Sequence, residues 1–435
     1  MENILDIPSV PHLVHIETTY ACNGNCVFCY NPRRGERFNK EKIDRIVKSV
    51  HGSWVPHVYL IGGEPSLLGV EQLNTYIDIL SQRSSVTIVT NGLICLKGIS
   101  SDLACIGVPF HGIGEIHEAH SRVLGGFRKT RESVEYYVKS GFDVRCIPVL
   151  TAWNFDRMYE IIRIAKEIGM ESVFVDRFED GGIGSAGSAE LKPTIEQFKV
   201  ALSQMISARD DFHIPVGFGT AIPHCLDKRL ITENMAANCG AGITFAAVNP
   251  DGNVRICNQS EIYYGNVLDD PIEKIWKRKE LDQFRGLSWV TKPCIYCSIL
   301  TDCLCGCKVD CNFSSGYSVD YSVRGREESI CSVRPISKEH LPVNFPDKFR
   351  KFRVDQFAKL NVFHPEHYLI TRYQTIKLDA QAESILKAVM NGILDEKVLI
   401  ESFSTKVDSD EIRTFLTELS VVGAIVFDGG DYGRN

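Results

Sequence analysis

The chain has 435 residues, 44% hydrophobic and 24% charged, with a formal net charge of −7. Its length exceeds one ordinary core and implies several domains, while the acidic balance disfavours nucleic acid as the main partner. No apolar run approaches the ~20 residues of a membrane helix, and Met1–Asp6 lacks the basic, apolar start of an export signal, so a cytoplasmic protein without a membrane span is expected.

Strand-like and helix-like runs alternate from the start. Leu13–Thr18 reads as a strand, and Lys40–Val50 as an amphipathic helix with Ile43, Ile46 and Val47 on one face. Strand Val58–Ile61, helix Val70–Leu80, strand Val86–Val89 and the short apolar segment Cys105–Val108 follow. Helix Arg128–Ser140, strand Val144–Leu150, helix Asp156–Ile168 and strand Ser172–Val175 complete the series. This repetition predicts an α/β fold, a partial (β/α)6 TIM-type barrel with a parallel sheet inside and helices outside. In such folds the site lies at the C-terminal ends of the strands. Gly181–Ser188 is a loop, and a helix from about Thr194 to Ile206 bridges onward. Residues 239–340 are rich in Cys and Gly with little periodicity, as in a segment held by metal clusters. A proline-containing connector at 341–365 precedes a regular C-terminal segment. There, Tyr368–Ile370 and Thr375–Leu378 read as a hairpin, followed by helices near 380–390, 394–404 and 409–421. Gly392 and Gly423 stand where C-terminal caps belong.

The sixteen cysteines are unevenly spread: three lie within 22–29 and nine within 239–331. In a reducing compartment such clusters point to metal or iron–sulfur binding rather than disulfides. Cys95, Cys105, Cys146 and Cys225 stand apart and read as small buried hydrophobes.

Cys22-x3-Cys26-x2-Cys29 follows the first strand. Three thiolates on one loop hold three irons of a [4Fe–4S] cube and leave the fourth open; on spacing alone, a three-cysteine zinc site is the alternative. Phe28 precedes the third cysteine, Gly62-Gly63-Glu64-Pro65 follows the second strand, and Thr90-Asn91-Gly92 follows the third. Together these motifs closely resemble the radical S-adenosylmethionine (SAM) family. The resemblance implies that Cys22, Cys26 and Cys29 carry a catalytic cluster whose open iron binds SAM. An electron from that cluster then cleaves SAM to a 5′-deoxyadenosyl radical, which abstracts a substrate hydrogen. It further implies that Phe28 contacts adenine and that Gly62, Gly63, Glu64 and Pro65 form the segment at the SAM amino group, where glycine permits close approach. The chain departs from the family after the fourth strand, where Val108-Pro109-Phe110-His111-Gly112 lacks the usual Ser and Asp. Asn154 and Arg177, after the fifth and sixth strands, are the substitute cofactor contacts. His111, His117 and His120 read as solvent-exposed loop histidines.

Cys239-x12-Gly252-x4-Cys257, then Cys294-x2-Cys297-x5-Cys303-x3-Cys307, then Cys331 resemble the SPASM domain of peptide- and protein-modifying radical SAM enzymes. Asn249-Pro250-Asp251-Gly252-Asn253 is a turn signal between two short strands, and Gly265-Asn266 and Ile275-Trp276 also fit that domain. The resemblance implies two auxiliary [4Fe–4S] clusters, one on Cys239, Cys257 and Cys307, the other on Cys294, Cys297, Cys303 and Cys331. Cys305 and Cys311 are extra: one of them completes the first cluster, or that cluster keeps an open iron. Relatives that oxidise alcohols carry an Asp beside the second cysteine as base. Here Asn258 stands there, which argues against that chemistry.

Residues 366–435 resemble a PqqD-like recognition element, a small winged-helix-like α+β domain. A DNA-reading version would be basic, yet this segment has seven Lys/Arg against twelve Asp/Glu. The resemblance implies that a leader peptide adds as a strand to the hairpin edge.

The expected organisation is a radical SAM core (1–190), a bridge (191–238), a SPASM domain (239–340), a connector (341–365) and a leader-recognition domain (366–435). The expected partners are a ribosomal precursor peptide and an electron donor such as flavodoxin or ferredoxin. The expected reaction is side-chain cross-linking, C–C or ether and involving aromatic residues, as in darobactin-type synthases. The alternatives are a thioether-forming maturase of the sactipeptide or ranthipeptide type, a sulfatase-type protein maturase, and a non-catalytic iron–sulfur or zinc scaffold.

Overall fold

The computed structural model describes residues 5–287, 289–311, 320–323, 349–363 and 366–428. Cys331 lies outside them.

The strands of the first half are β1 (Leu13–Glu17), β2 (His57–Ile61), β3 (Ser85–Val89), β4 (Leu103–Val108), β5 (Val144–Cys146), β6 (Val149–Leu150), β7 (Ser172–Arg177) and β8 (Val216–Phe218). Two further strands, β9 (Phe245–Val248) and β10 (Val254–Arg255), come from the cysteine-rich segment. They form one curled sheet in the order β10-β9-β1-β2-β3-β4-β5-β7-β6, with β8 on β7. Every pairing is parallel except β10 with β9. Burial on both faces explains the near-continuous apolar strands: Leu103–Val108 is buried along its whole length. Helix Lys40–Gly52, capped by Asn39, buries Ile43, Ile46, Val47 and Val50 against the sheet.

Four features depart from the sequence expectations. The fifth strand is broken between Cys146 and Val149, because Pro148 has no N–H to give a ladder. A helix, Glu115–Ser121, stands where no element was expected. The bridge is part of the barrel: helix Ile195–Phe212, closed by a Thr194/Gln197 capping box, packs on it, and β8 extends the sheet. The connector contains two strands, β11 (Phe352–Val354) and β12 (Lys359–Phe363).

These two strands belong to the C-terminal unit with β13 (Glu366–Ile370), β14 (Thr375–Lys377) and β15 (Ile425–Phe427). The sheets are β12-β13-β14 and β11-β15, all antiparallel. Helices Ala380–Met390, Glu396–Phe403 and Ser409–Val421, each N-capped by an Asp, close a separate core around Leu386, Leu399 and Leu416.

This unit sits against the N-terminal ends of the barrel strands. Asn361 Nδ2 donates to Trp54 O (3.0 Å), Lys359 Nζ to Ser84 O (2.6 Å), Ser85 Oγ to Arg372 O (2.7 Å) and Arg372 Nη1 to Ala104 O (2.7 Å). Arg372 also pairs with Asp143 at 2.8 Å. Among the described residues no helix is long and apolar enough to cross a membrane.

Candidate functional site

At the opposite end, the loop after β1 is held by its own polar side chains. Arg34 Nη2 donates to Cys26 O (2.8 Å) and Asn31 Nδ2 to Tyr20 O (2.6 Å). Val27 N–H donates to His120 O (2.9 Å) and Asn25 N–H to Ser121 O (3.1 Å). Within this frame the sulfurs of Cys22 and Cys26 converge on Gly24, 3.7 and 3.8 Å from where its Cβ would stand. Gly24 N–H donates to the Cys22 sulfur (3.3 Å) and Asn31 N–H to the Cys29 sulfur (3.4 Å). Burial pushes the Cys22 thiol up to about 11 and Cys26 up to about 12. As thiols they hold their protons at neutral pH, and ligation to metal would release them. Main-chain donors aimed at sulfur are what a ligated thiolate needs.

The Gly62–Pro65 segment presses on this loop. A Cβ on Gly63 would stand 2.1 Å from Ala21 O and 2.4 Å from Tyr20 O, and one on Gly62, at φ +138, would stand 2.6 Å from Thr19 O. Gly63 N–H and Glu64 N–H donate to Thr19 O (2.6 Å) and Ala21 O (2.8 Å). Glu64 is fully buried and ties three segments together. Its Oε1 accepts from Ser66 N–H (2.9 Å) and Thr90 Oγ1 (2.5 Å), and its Oε2 from Asn91 N–H (2.8 Å). Asn91 Nδ2 in turn donates to Asn23 Oδ1 at 2.7 Å, beside Cys22.

The histidines are not exposed: His111, His117 and His120 are all buried. His111 stacks on His117 (5.5 Å) and His120 (5.9 Å), and its ring meets Phe28 edge-on at 4.6 Å. Burial pulls His111 well below its usual range and His117 down to about 4, so the stack is neutral. Uncharged rings tolerate burial because their nitrogens find partners. His111 Nδ1 accepts from Val149 N–H (3.1 Å), and His120 Nε2 lies 2.8 Å from Thr151 Oγ1.

The two expected substitute contacts are engaged elsewhere. Asn154 is buried; its Nδ2 donates to His111 O (2.8 Å) and Val149 O (2.9 Å), and its Oδ1 accepts from Thr151 N–H (2.8 Å). Arg177 Nη2 pairs with Asp310 and, at 2.7 Å, with Asp320, both wholly buried, and so bolts β7 to the cysteine-rich segment. Gly184, by contrast, is a contact not foreseen. Its N–H reaches Cys29 O (3.0 Å), and its Cβ would stand 2.7 Å from Phe28 O. The glycine run in that loop was the available signal.

The cysteine-rich segment joins the barrel through β9 beside β1. Gly252, at φ +87, makes the turn and is braced by Asn266. Asn258 Nδ2 donates to Glu17 Oε1 (2.7 Å), its Oδ1 meets His15 Nδ1 (2.7 Å), and Arg255 pairs with Glu17. Its amide thus serves as a strut. Cys239 is the shared electrostatic neighbour of Cys257, Cys307 and Cys311. Cys225, Cys294, Cys297, Cys303 and Cys305 ring a second space. Every cysteine among the described residues is a free thiol, and there no three His, Cys, Asp or Glu side chains converge on a single-ion site. Grouped thiols with N–H donors fit iron–sulfur ligation.

Two carboxyls at the end of β7 also escaped the sequence reading. Dehydration raises Asp176 and Glu179 to about 7, and the Cys307 thiol donates to Glu179 at 3.0 Å. An acidic residue at the C-terminal end of a barrel strand was the missed signal.

Residues 16–165 match the radical SAM superfamily model, and residues 239–303 match SPASM, an iron–sulfur cluster-binding domain. The PqqA peptide cyclase of Rhodopseudomonas palustris is 22% identical over 323 residues, 69% of this chain and 82% of that protein. The mycofactocin maturase MftC of Mycolicibacterium smegmatis is 25% identical over 70% of this chain and 79% of its own. The AdoMet-dependent heme synthase of Methanosarcina barkeri is 23% identical over 77% of this chain and all of its own. Among solved structures, Streptococcus suis SuiB bound to its precursor peptide SuiA superposes with a TM-score of 0.58. It is 16% identical and covers 75% of this chain and 77% of that one, a likeness of fold.

Proposed function

We propose that this radical SAM and SPASM enzyme, whose cofactors are [4Fe–4S] clusters and S-adenosylmethionine, installs side-chain cross-links in a ribosomally made peptide. The bonds are C–C or ether and involve aromatic residues. Two relatives are named for peptide cyclisation and mycofactocin maturation, and SuiB was solved with its precursor peptide. The observation that carries the reading is the shared edge of β1 and β9, which sets the Cys22–Cys29 loop and the cysteine-rich segment at one end of one sheet.

Cys22, Cys26 and Cys29 would hold the catalytic cluster, with Phe28 and Gly62–Pro65 framing SAM. Asn154 and Arg177 act as positioning residues, the first by shaping the loop beneath His111, the second by fixing the cysteine-rich segment. Cys239, Cys257, Cys307 and Cys311 would ligate the first auxiliary cluster. When bound, the reduced cluster and SAM supply a carbon radical that abstracts hydrogen. The chain's own part is to exclude water around it, through Phe28, the histidine stack and the Gly184 loop. The leader peptide docks on the C-terminal unit, and an external flavodoxin- or ferredoxin-type donor provides electrons.

The test is anaerobic incubation of the reconstituted enzyme with SAM, reductant and candidate precursor peptides. A peptide lighter by two hydrogens per bond is the expected product, with an aromatic residue in a new C–C linkage or in an ether whose oxygen comes from a side-chain hydroxyl of the peptide. A linkage through cysteine sulfur would move the reading to thioether formation. Untouched peptides beside accumulating 5′-deoxyadenosine would reject peptide cross-linking.

A further inference from the structure

Within residues 22–29 only Asn23 and Asn25 are exposed. Around that tip the cysteine loop is covered from three sides. The Gly62–Gly63 turn presses on Thr19–Ala21, the Gly184 loop on Phe28–Cys29, and the end of helix Glu115–Ser121 on Asn25–Val27. Consecutive Cα atoms lie ~3.8 Å apart, so a body resting on Asn23 and Asn25 stands one residue from Cys22 and Cys26. Phe28, on the covered side, faces the histidine stack. A substrate meeting the radical approaches from there and not from the tip.

Three cations on three segments surround the tip. Arg34 Nη1 donates to Asn25 Oδ1 (2.6 Å). Arg122 directly follows Ser121, whose carbonyl accepts from Asn25 N–H (3.1 Å). Lys129 directly precedes Thr130, whose hydroxyl donates to Asn91 O (2.8 Å), and Asn91 reaches Asn23 (2.7 Å). Arg122 and Lys129 are exposed. The neighbouring acids Glu36 and Glu132 are taken by Arg33 and Arg128, and among the described residues Arg34, Arg122 and Lys129 form no ion pair. Against them stand Glu118, one turn before Arg122, and Glu115 at the far end of the same helix. The whole chain carries −7, so this face has the opposite sign to the molecule. Leu124, between Arg122 and helix Gly126–Lys139, is 93% exposed. An apolar point within a cationic rim fits a brief encounter with an acidic protein, of the kind electron carriers make over less than ~1,200 Å2.

We propose that the Asn23–Asn25 tip, ringed by Arg34, Arg122, Lys129 and Leu124, is the docking face for a small acidic electron-carrier protein of the flavodoxin type. This rests on the reading that an external carrier supplies the electron. One electron crosses at each encounter, oxidising the carrier and reducing the cluster, and no bond or proton changes hands at this surface.

The test uses full-length enzyme reconstituted anaerobically, with 5′-deoxyadenosine formation driven by reduced flavodoxin or, separately, by dithionite. Wild type with flavodoxin should slow as salt rises from about 10 to 100 mM and the Debye length falls from about 30 to 10 Å. Arg122→Glu/Lys129→Glu should lose about tenfold or more in kcat/KM for flavodoxin, since steering is worth about 10–1,000-fold. It should also flatten the salt dependence and keep the wild-type rate with dithionite. Lys199→Glu, the same charge change on exposed surface of helix Ile195–Phe212, should behave as wild type. A double variant equal to wild type with flavodoxin, or a matching loss in Lys199→Glu, overturns the proposal. So does a loss of peptide affinity in its place, which would give the face to the substrate. A second measurement needs no variant. Carbodiimide should join flavodoxin carboxylates to Lys129 of wild type, and cross-links confined to other lysines overturn the proposal even where the double variant misfolds. Wild type that turns over with dithionite but with neither flavodoxin nor ferredoxin rejects the external-carrier reading and this proposal with it.

Discussion

Gly63→Ala isolates the fit between the glycine turn and the cysteine loop. The added Cβ would stand 2.1 Å from Ala21 O and 2.4 Å from Tyr20 O, both main chain, and real Cβ contacts are no shorter than 3.0 Å. The two segments must part by at least ~0.9 Å, the difference between 3.0 and 2.1 Å. That movement stretches Gly63 N–H to Thr19 O from 2.6 Å and Glu64 N–H to Ala21 O from 2.8 Å, each to or past the limit of a hydrogen bond. Overpacking costs roughly 1–3 kcal/mol, and two weakened bonds add about 0.5–1.5 kcal/mol each, giving about 2–6 kcal/mol. Because Cys22 follows Ala21 directly, the thiol moves too, and a displacement near 1 Å costs about 100-fold in rate. Anaerobic urea denaturation reads the first effect, and 5′-deoxyadenosine formation at equal iron content reads the second. Gly35→Ala is the control, since nothing lies within 4 Å of its added Cβ. A Gly63→Ala protein within about 0.5 kcal/mol of that control, with an unchanged rate, would refute the reasoning.

Glu64→Ala strands the buried N–H of Ser66 and the partly buried N–H of Asn91, and should cost about 2–5 kcal/mol by urea denaturation. Glu64→Gln, losing only the Asn91 bond, should cost about half. Arg177→Met takes the cation from buried Asp320 and leaves buried Asp310 with Lys192 alone, 3.9 Å away, and should destabilise by about 3–5 kcal/mol, with loss of auxiliary iron first. His57 and His117 are buried, and burial holds each near a pKa of about 4 against an unfolded 6.5. Between those values the unfolded chain binds protons that the folded one refuses, so stability falls as pH drops from 6.5 toward 4. Each His contributes up to about 3 kcal/mol of that loss, and His117→Phe should make the fall measurably shallower. Finally, Leu378 N–H bonds inward to His367 O, so antiparallel alternation turns the Lys377 N–H outward along the β14 edge. Lys377→Pro removes that donor and should weaken binding of a leader peptide while SAM cleavage persists; unchanged binding by fluorescence titration would place the leader elsewhere.

What the sequence made legible was local. The apolar runs located the barrel strands up to β7 within a few residues, with β5 and β6 read as one, because parallel strands buried on both faces are apolar throughout. The three motifs at their ends were legible because glycine and cysteine are costly to place without cause. Long-range contact was not legible. Helix Glu115–Ser121 was hidden because two of its buried positions are histidines, whose polarity disguised the apolar period although burial keeps both rings uncharged against His111. Strand β8, three residues long, offers too little pattern for alternation to register. Lys359–Phe363 alternates, yet its half-buried lysine caps main-chain carbonyls of the barrel, and in the sequence such a lysine reads as an exposed one. Cys225 has its neighbours about seventy residues downstream, and no spacing rule reaches that far.

The placement of the C-terminal unit constrains any peptide that uses it. It covers the strand starts at His57, Ser85 and Val144, whereas the cysteine loop, the glycine turn and Thr90–Gly92 lie at the strand ends. The two ends are separated by at least one strand, five residues in β1, or ~17 Å at ~3.3 Å per residue. On the proposed reading a leader held at the β14 edge must therefore be followed by at least about five extended residues before the first residue that reacts. A path around the barrel wall lengthens that spacer and cannot shorten it. Precursors truncated one residue at a time between leader and core should keep their affinity, then lose modification abruptly below that length. A gradual decline with affinity would instead mean that the leader and the reacting residue share one end of the barrel.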